Sequence, residues 1–270
     1  MTIEKITEQS GEHQDLESKS SLELIEIING EDHKVAQAVQ KVLPQISQFV
    51  DLVVQKLETG GRLFYFGSGT SGRLGILDAS ECPPTYGVSP DLVIGLIAGG
   101  DTAIRVAVEQ AEDDLNQAWL DLKAYQITDK DIVLGISASG TTPYVIGGLK
   151  ACKHHGIICG ALSCNPNSMI GQIADYKVEV VVGPEVVRGS TRMKAGTAQK
   201  MVLNLISTAT MIALGHVHNN QMVDMKLSNN KLVERAVSMV KELGGVEEAE
   251  ARSMLNKFGS VRAVLNQLNQ

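Results

Sequence analysis

Residues 62–84 decide the fold, and they read Arg-Leu-Phe-Tyr-Phe-Gly-Ser-Gly-Thr-Ser-Gly-Arg-Leu-Gly-Ile-Leu-Asp-Ala-Ser-Glu-Cys-Pro-Pro. The apolar run Leu63–Phe66 predicts a buried strand. The turn at 67–72 holds three glycines, which let the backbone approach a ligand closely, and three hydroxyls. Residues 73–79 predict a helix, and a helix start attracts anions. The stretch therefore predicts a phosphate-binding loop.

Two alternatives exist for this turn. The spacing Gly67-x-Gly69-x-x-Gly72 also fits the dinucleotide fingerprint, which needs an acidic residue at the end of the next strand. The next predicted strand, Leu92–Ala98, is instead followed by two glycines. The hydroxyls favour a small phosphate over a pyrophosphate, and a purely structural glycine turn is the other alternative.

Composition narrows the class of protein. The 270 residues carry a net charge of −7, which argues against a nucleic-acid partner. No run approaches the ~20 apolar residues of a membrane helix. The polar stretch Met1–Ser21 lacks the apolar segment of a signal peptide, so we expect a cytoplasmic protein without a membrane partner.

Strands alternate with helices after residue 62. The predicted strands are short apolar runs: Leu63–Phe66, Leu92–Ala98, Ile132–Ser137, Ile157–Leu162 and Val178–Val182. Such runs belong to a parallel sheet buried on both faces, and ligands bind beyond the carboxyl ends of its strands. The pattern predicts an α/β fold with a five-stranded parallel sheet flanked by helices in three layers.

Helical patterns precede and follow the sheet. We expect residues 1–20 to be loosely ordered, a helix Ser21–Ile28 that ends at Gly30, and a helix 33–57 bent at Pro44. A further helix is predicted over 101–119, and two short ones surround Gly259 in a small appendage. The predicted division is an N-terminal helical segment 1–57, a central domain 58–220 and a C-terminal helical module 221–270.

Two later segments repeat the features of an anion site. After the third predicted strand, four hydroxyls precede Pro143, a residue favoured at helix starts, and they exceed what one helix cap needs. They are Ser137, Ser139, Thr141 and Thr142. The stretch 183–194 brings Arg192 and Lys194 to the start of a long apolar helix that runs to about Leu214. We take all of these as substrate-binding candidates.

Cysteines and histidines point to no metal site. Cys152 and Cys159 lie in apolar contexts typical of a core, and a nucleophilic role for Cys82 lacks a histidine nearby in sequence. His216 and His218 form a pair without an evident third ligand, which favours a solvated pair near a helix end. We expect neither a metal nor a cofactor.

The two glycine loops resemble the sugar isomerase (SIS) family of phosphosugar-binding domains. Longer motifs resemble the N-acetylmuramic acid 6-phosphate etherase family: residues 67–87 and 96–100, Ala111-Glu112-Asp113, and residues 189–200. The resemblance runs from about residue 20 to 235. Against that family, the helical tail after the central domain looks shortened.

The resemblance implies an activity and a set of residues. Members of the family cleave the D-lactyl ether of N-acetylmuramic acid 6-phosphate by eliminating lactate and then adding water, as homodimers without metal. Carried over by motif, Glu81 is the proton donor and Glu112 the second acid–base group, or the reverse. The sugar-phosphate loops supply Ser68, Gly69, Thr70, Ser71, Ser137, Ser139, Thr141 and Thr142.

Two rival functions fit the same fold. A sugar-phosphate sensor resembling the glucokinase regulators would bind without chemistry and would not need Glu81 and Glu112 together. A phosphosugar isomerase would also abstract a proton beside a carbonyl, but it would release no lactate.

Overall fold

The computed structural model describes residues 5–268 and only the backbone of Glu109. Its sheet has five parallel strands: β1 Leu63–Gly67, β2 Val93–Ile97, β3 Ile132–Ile136, β4 Ile158–Ser163 and β5 Tyr176–Glu179. The strand order is β2-β1-β3-β4-β5. This confirms the predicted sheet, and the order reverses between β1 and β3, where ligands bind in such folds.

Helices cover both faces of the sheet. They are α1 Ser21–Gln40, α2 Leu43–Glu58, α3 Gly69–Tyr86, α4 Gly100–Arg105, α5 Gln117–Ala124, α6 Pro143–His154, α7 Met169–Ile173 and α8 Lys194–Ala213. Leu63 and Tyr65 join one core with α1, α2, α3 and α8. Phe64 and Phe66 join the other core with α5, α6 and α7. Alternate side chains of β1 thus divide between two cores, which confirms the three layers.

The N-terminal helices differ from the prediction. Helix α1 begins at Ser21 as predicted, with Ser20 as its cap in a capping box with Glu23, but it passes through Gly30 and ends at Gln40. An isolated glycine weakens a helix by only about 1 kcal/mol, and burial of Val35 and Val39 beyond it outweighs that cost. The predicted single helix 33–57 is instead two helices that separate at residues 41–42. Pro44 bends neither of them, since it lies in the first turn of α2, where no backbone donor is lost.

Helix α3 is longer at both ends than the predicted 73–79. It begins directly after Ser68, so the glycine turn is itself the first turn of the helix. It continues through Pro83 and Pro84 and ends at Gly87, whose φ of +70° is left-handed. Glu81 therefore lies on a helix rather than in a loop.

The predicted single helix over 101–119 is wrong. The structure has the short α4, an extended break at Val106, a 3-10 helix Glu109–Asp113, and then α5. The break lets the chain fold back against the end of β2, where a Cβ on Gly99 would lie 3.0 Å from Val108 Cβ and 3.3 Å from Ala111 Cβ. This reversal places Glu112 beside the first glycine loop.

Residues 5–20, which precede α1, are anchored to the rest of the fold at Thr7 and Glu8 rather than loose throughout, and residues 1–4 of the predicted loose segment lie outside the described part of the chain. The described segment contains two 3-10 turns, Ile6–Glu8 and Leu16–Ser18, and the first is held against the loop after β4 through Thr7. Thr7 is fully buried: its N–H donates to Asn165 Oδ1 (3.1 Å), and its hydroxyl accepts from Asn165 Nδ2 (2.9 Å). A reciprocal buried pair across the fold explains the order that local sequence did not indicate.

Three helices close the chain: α9 Asn230–Gly244, α10 Glu248–Phe258 and α11 Val261–Leu268. They enclose an apolar cluster of their own, which includes Val240 and Leu255, and the two short helices around Gly259 are confirmed. The division at 57 and 220 stays a prediction. No helix within 5–268 has the length and apolar character needed to cross a membrane.

Candidate active site

Both predicted hydroxyl loops lie at the reversal point of the sheet. Residues 67–72 follow β1, and residues 137–142 follow β3. These strands are neighbours, with Gly67 opposite Ile136. The structure therefore brings the two loops to one edge, as expected for a ligand site beyond the carboxyl ends of parallel strands.

Gly72 and Gly69 of the first loop are glycines for different structural reasons. A Cβ on Gly72 would lie 2.6 Å from Ile97 Cγ1, so this glycine is needed for close packing of α3 on the sheet. Gly69 has a left-handed φ of +50° and open space where its Cβ would be. Packing alone thus explains the glycine at position 72, as in a purely structural glycine turn. Gly69, in contrast, leaves the backbone accessible at the helix start.

A cavity of about 220 Å³ opens beside this loop. Ser68, Gly69, Arg73 and Glu112 provide its polar groups. Its apolar wall is formed by Ala98, Ala103, Ala107 and Val108. The Ser68 hydroxyl donates to Glu112 Oε2 over 2.8 Å, which fixes the carboxylate at the mouth of the loop.

The other hydroxyls of the first loop point elsewhere. Ser71 is buried, and its hydroxyl donates to Gln199 Oε1 (3.0 Å), which ties α3 to α8. Thr70 is half-buried near Gly196 of α8. Neither lines the cavity, and the predicted binding roles of Thr70 and Ser71 stay predictions.

The hydroxyls of the second loop form a network. Ser137 Oγ lies 2.8 Å from Thr142 Oγ1 and 3.2 Å from Ser139 Oγ, and it accepts from Gly140 N–H. Ser139 Oγ accepts from both the N–H and the hydroxyl of Thr141 (3.2 Å each). The loop is therefore shaped in advance, and three of its four hydroxyl side chains remain half-exposed at the edge of the sheet.

The two predicted cations near α8 lie in different environments. Arg192 is exposed and makes no side-chain hydrogen bond or ion pair within the described part of the chain. Lys194 is only 2% exposed, and its Nζ lies 2.5 Å from Glu31 Oε2. Its charge is already neutralised, so the structure gives Lys194 a partner that the sequence analysis missed.

Glu31 sits at the centre of a charge cluster. Burial alone would raise the pKa of this carboxyl, but hydrogen bonds from Lys194, Lys34 and His13 outweigh it and lower the pKa to about 2. Lys34, three residues later on α1, pairs at 2.6 Å, and His13 Nε2 lies 3.1 Å away. Only the spacing of Glu31 and Lys34 was visible in the sequence.

Glu81 lies away from the cavity. It is exposed on α3, about 18 Å along the helix axis from Gly69 at 1.5 Å per residue. It shares a face of α3 with Arg73 and the half-exposed Leu77, each four residues apart. Within one chain, the structure does not bring Glu81 and Glu112 into the same pocket.

The cysteines and histidines considered in the sequence have structural roles. Burial raises the pKa of the Cys82 thiol to about 12, so it is protonated at neutral pH and no nucleophile. Cys152 and Cys159 are buried, as predicted. His216 is not merely solvated, because its Nδ1 lies 2.9 Å from Asp224 Oδ2. The described residues include no cluster of three or more metal-ligating side chains.

Two glycine loops at the reversal point of this sheet define a SIS domain. Family models agree: the SIS domain matches residues 110–209, the glucokinase regulatory protein N-terminal SIS domain 34–153, and the C-terminal lid domain of that protein 219–264. Phosphoheptose isomerase from Neisseria gonorrhoeae superposes with a TM-score of 0.54 over 73% of this chain and all of its own, at 21% identity, and so shares the fold.

Sequence relatives are more specific. A protein from Christiangramia forsetii named N-acetylmuramic acid 6-phosphate etherase is 56% identical over 96% of this chain and 95% of its own length. One of the same name from Bacteroides thetaiotaomicron is 54% identical over 98% and 96%. The chain belongs to the N-acetylmuramic acid 6-phosphate etherase family. The alignments span 95% and 96% of these two relatives, so this chain lacks no stretch of about thirty residues that they carry.

Proposed function

We propose that this protein is a carbon–oxygen lyase that cleaves the D-lactyl ether of N-acetylmuramic acid 6-phosphate. The products are N-acetylglucosamine 6-phosphate and D-lactate, in cytoplasmic recycling of cell-wall amino sugars. The observation that carries the proposal is Glu112, a carboxylate fixed by Ser68 over a cavity at a phosphosugar-type loop. Relatives above half identity that bear the etherase name support the choice of substrate.

The reaction depends on proton transfers to and from the sugar and the lactyl oxygen. In the open-chain sugar, a base removes the proton from C2 beside the aldehyde. The C3–O bond then breaks, its electron pair stays on the lactyl oxygen, and an acid protonates that oxygen. Water adds to the unsaturated sugar, with its hydroxyl on C3 and a proton on C2. Positioned carboxyl groups accelerate such steps by roughly 10²–10⁴-fold each.

Glu112 is the acid–base group that this cavity presents. We assign Glu81 as its partner, with either order of roles, and place it in the site across a homodimer. The support is geometric: Glu81 is exposed, it lies two helical turns beyond Arg73, and Leu77 beside it offers apolar surface. An exposed apolar residue next to an exposed carboxylate on one helix face suits a subunit contact that delivers the carboxylate.

The sugar phosphate is the remaining anion. The first helix turn at Gly69 and the hydroxyl network after β3 supply N–H and O–H donors at one edge of the sheet. Such donors suit a phosphate at a helix start. We place the phosphate on these loops. Arg192, an exposed cation two residues before the start of α8, is a further candidate for binding the phosphate.

The test measures D-lactate released from N-acetylmuramic acid 6-phosphate in ¹⁸O-labelled water. We expect stoichiometric lactate and label at C3 of the sugar product, because elimination followed by hydration takes the new oxygen from solvent. Release without label would contradict elimination. Saturable binding without lactate would favour a sensor of the glucokinase-regulator type, and a rearranged sugar without lactate would favour an isomerase.

A further inference from the structure

We infer that Arg73 binds the lactyl carboxylate of the substrate and so selects lactyl ethers over the sugar phosphate that lacks this group. The inference rests on the function proposed above. It concerns a residue near the start of α3 to which the sequence motifs assign no role. It also moves the lactyl carboxylate away from Lys194 and Arg192, the cations that charge alone suggested.

The cavity holds a single cation among its lining residues. Arg73 lines it together with Ser68 and Glu112. Arg73 Nε donates to the carbonyl oxygen of Ile104 over 2.9 Å, which anchors the guanidinium at one edge. Among the side chains that the structure describes, no carboxylate lies within 4 Å of this guanidinium. The terminal N–H groups thus remain for a ligand, in the forked geometry that suits a carboxylate.

Lys194 is unsuited to the same task. Its ammonium is 2% exposed and lies against Glu31 at 2.5 Å, in a cluster that also contains Lys34 and His13. Recruiting it would leave the buried Glu31 carboxylate with fewer partners, which is unfavourable for a buried charge. Arg73, by contrast, already lies in the cavity that contains Glu112.

The chemistry of the ether requires a cation close to the acid–base group. The lactyl carboxylate is separated from the ether oxygen by one carbon atom, so a group that reaches the ether oxygen works within a few ångströms of that carboxylate. Glu112 alone would repel this second negative charge. Arg73 offsets the repulsion by pairing with the lactyl carboxylate, so that Glu112 can work beside it, as the base at C2 when ionised or as the acid at the ether oxygen when protonated.

The wall of the cavity fits the rest of the lactyl group. The side chains of Ala103, Ala107 and Val108 offer methyl groups opposite the polar residues. The lactyl group carries one methyl beside its carboxylate, and burying a methyl group against an apolar wall favours binding. A cavity with one cation and an alanine-rich wall therefore fits lactate better than it fits a phosphate, which has no apolar part, and leaves the phosphate to the hydroxyl network after β3.

The test is a cycle of two ligands and two proteins. The ligands are N-acetylmuramic acid 6-phosphate and its lactyl carboxamide, which keeps the shape and loses the charge. Both proteins carry Glu112→Gln, so that binding is measured without turnover. They differ only at residue 73, where one carries Arg73→Met, and the one that keeps Arg73 is called wild type in this test. A charge-assisted pair predicts that the acid binds wild type about 10- to 100-fold more tightly than the amide. In Arg73→Met this preference should fall to about 2-fold or less.

Controls separate this role from folding. Loss of the bond to Ile104 weakens both ligands equally and cancels in the cycle. The matched control is Arg105→Met, an exposed arginine at the end of α4 that does not line the cavity, and it should keep the full preference. N-acetylglucosamine 6-phosphate should bind wild type and Arg73→Met alike.

Two outcomes would overturn the inference. One is an unchanged preference for the acid in Arg73→Met. The other is an equal loss for N-acetylglucosamine 6-phosphate, which would show that Arg73 binds the phosphate. Failure of the proposed function would look different. The protein that keeps Arg73 would then bind neither lactyl sugar, or the enzyme with both Arg73 and Glu112 intact would release no lactate.

Discussion

Ser68 and Glu112 illustrate what single residues reveal before a structure exists. Ser68 was predicted from its place in a glycine turn, and Glu112 came only from a resemblance of motifs. Nothing in the charge run around Glu112 distinguishes it, because its neighbours are equally acidic. Its position depends on a chain reversal at Val106, and a bond to Ser68 across 44 residues settles its orientation. Local periodicity does not report contacts of that range.

Glu112→Gln should lower kcat by about 10²–10⁴-fold with KM changed little, because the amide keeps a polar partner for Ser68 but transfers no proton. Steady-state lactate release measures both constants. Asp113→Asn is the matched control, since Asp113 is the exposed neighbour and does not line the cavity. Equal losses in the two variants would remove Glu112 from its assigned role.

Glu31 makes stability depend on pH. Its folded pKa of about 2 lies below its ordinary 4.5, so the ionised form contributes stability above pH 4.5, and this contribution is lost as pH falls toward 2. Glu31→Gln should cost about 3–5 kcal/mol at pH 7, because Lys194 stays buried without a charged partner.

Urea unfolding at pH 7, 4 and 2.5 measures this dependence. The difference between wild type and Glu31→Gln should shrink at the lowest pH. The exposed Glu26 on the same helix supplies the control Glu26→Gln, which should track wild type at each pH. A difference that stays constant with pH would show that the ionisation of Glu31 does not stabilise the fold.

At the scale of elements, the strands were predictable and the helix ends were not. Strand β1 is apolar throughout because both of its faces are buried, and such a run is visible in sequence. Helix boundaries depend on tertiary contacts: α1 survives Gly30 because its later residues are buried, and α4 stops where the chain folds back on Gly99. The predicted helix over 101–119 failed for this reason.

Gly30→Ala should raise the free energy of unfolding by about 0.5–1 kcal/mol. The residue lies inside α1, is exposed, and would place its Cβ in open space, so alanine removes the entropy cost of glycine without a clash. Thermal or urea unfolding measures the change. Gly72→Ala is the contrasting variant: its Cβ would meet Ile97 and the Gly67 carbonyl oxygen, and it should destabilise the protein. Destabilisation by Gly30→Ala would mean that α1 is strained there.

At the scale of the whole molecule, the distance between Glu81 and Glu112 decides whether the active site forms within one chain or between two subunits. Their separation within one chain follows from the continuous helix α3, which the predicted 73–79 helix was too short to show. Motif resemblance named both residues but gave no information about which chain each serves. A site completed across a homodimer makes a prediction that a site within one chain does not.

Mixing Glu81→Gln with Glu112→Gln should restore activity that neither variant has alone. After random exchange of subunits, half of the dimers are mixed and each holds one intact site, so about a quarter of wild-type activity should return. Lactate release after co-refolding measures it. Each variant refolded alone is the control, and a mixture that stays inactive would place both carboxylates in a single chain.

The bond between Thr7 and Asn165 has a consequence for synthesis on the ribosome. The two residues are 158 positions apart, and Asn165 also donates to the carbonyl oxygens of Ala138 and Ser139. At about 5–20 residues per second, Thr7 is added to the chain roughly 8 to 32 s before its partner is made. Thr7 therefore cannot form its buried hydrogen bonds until Asn165 is made, and the loop after β3 gains its hydrogen bonds from Asn165 only then.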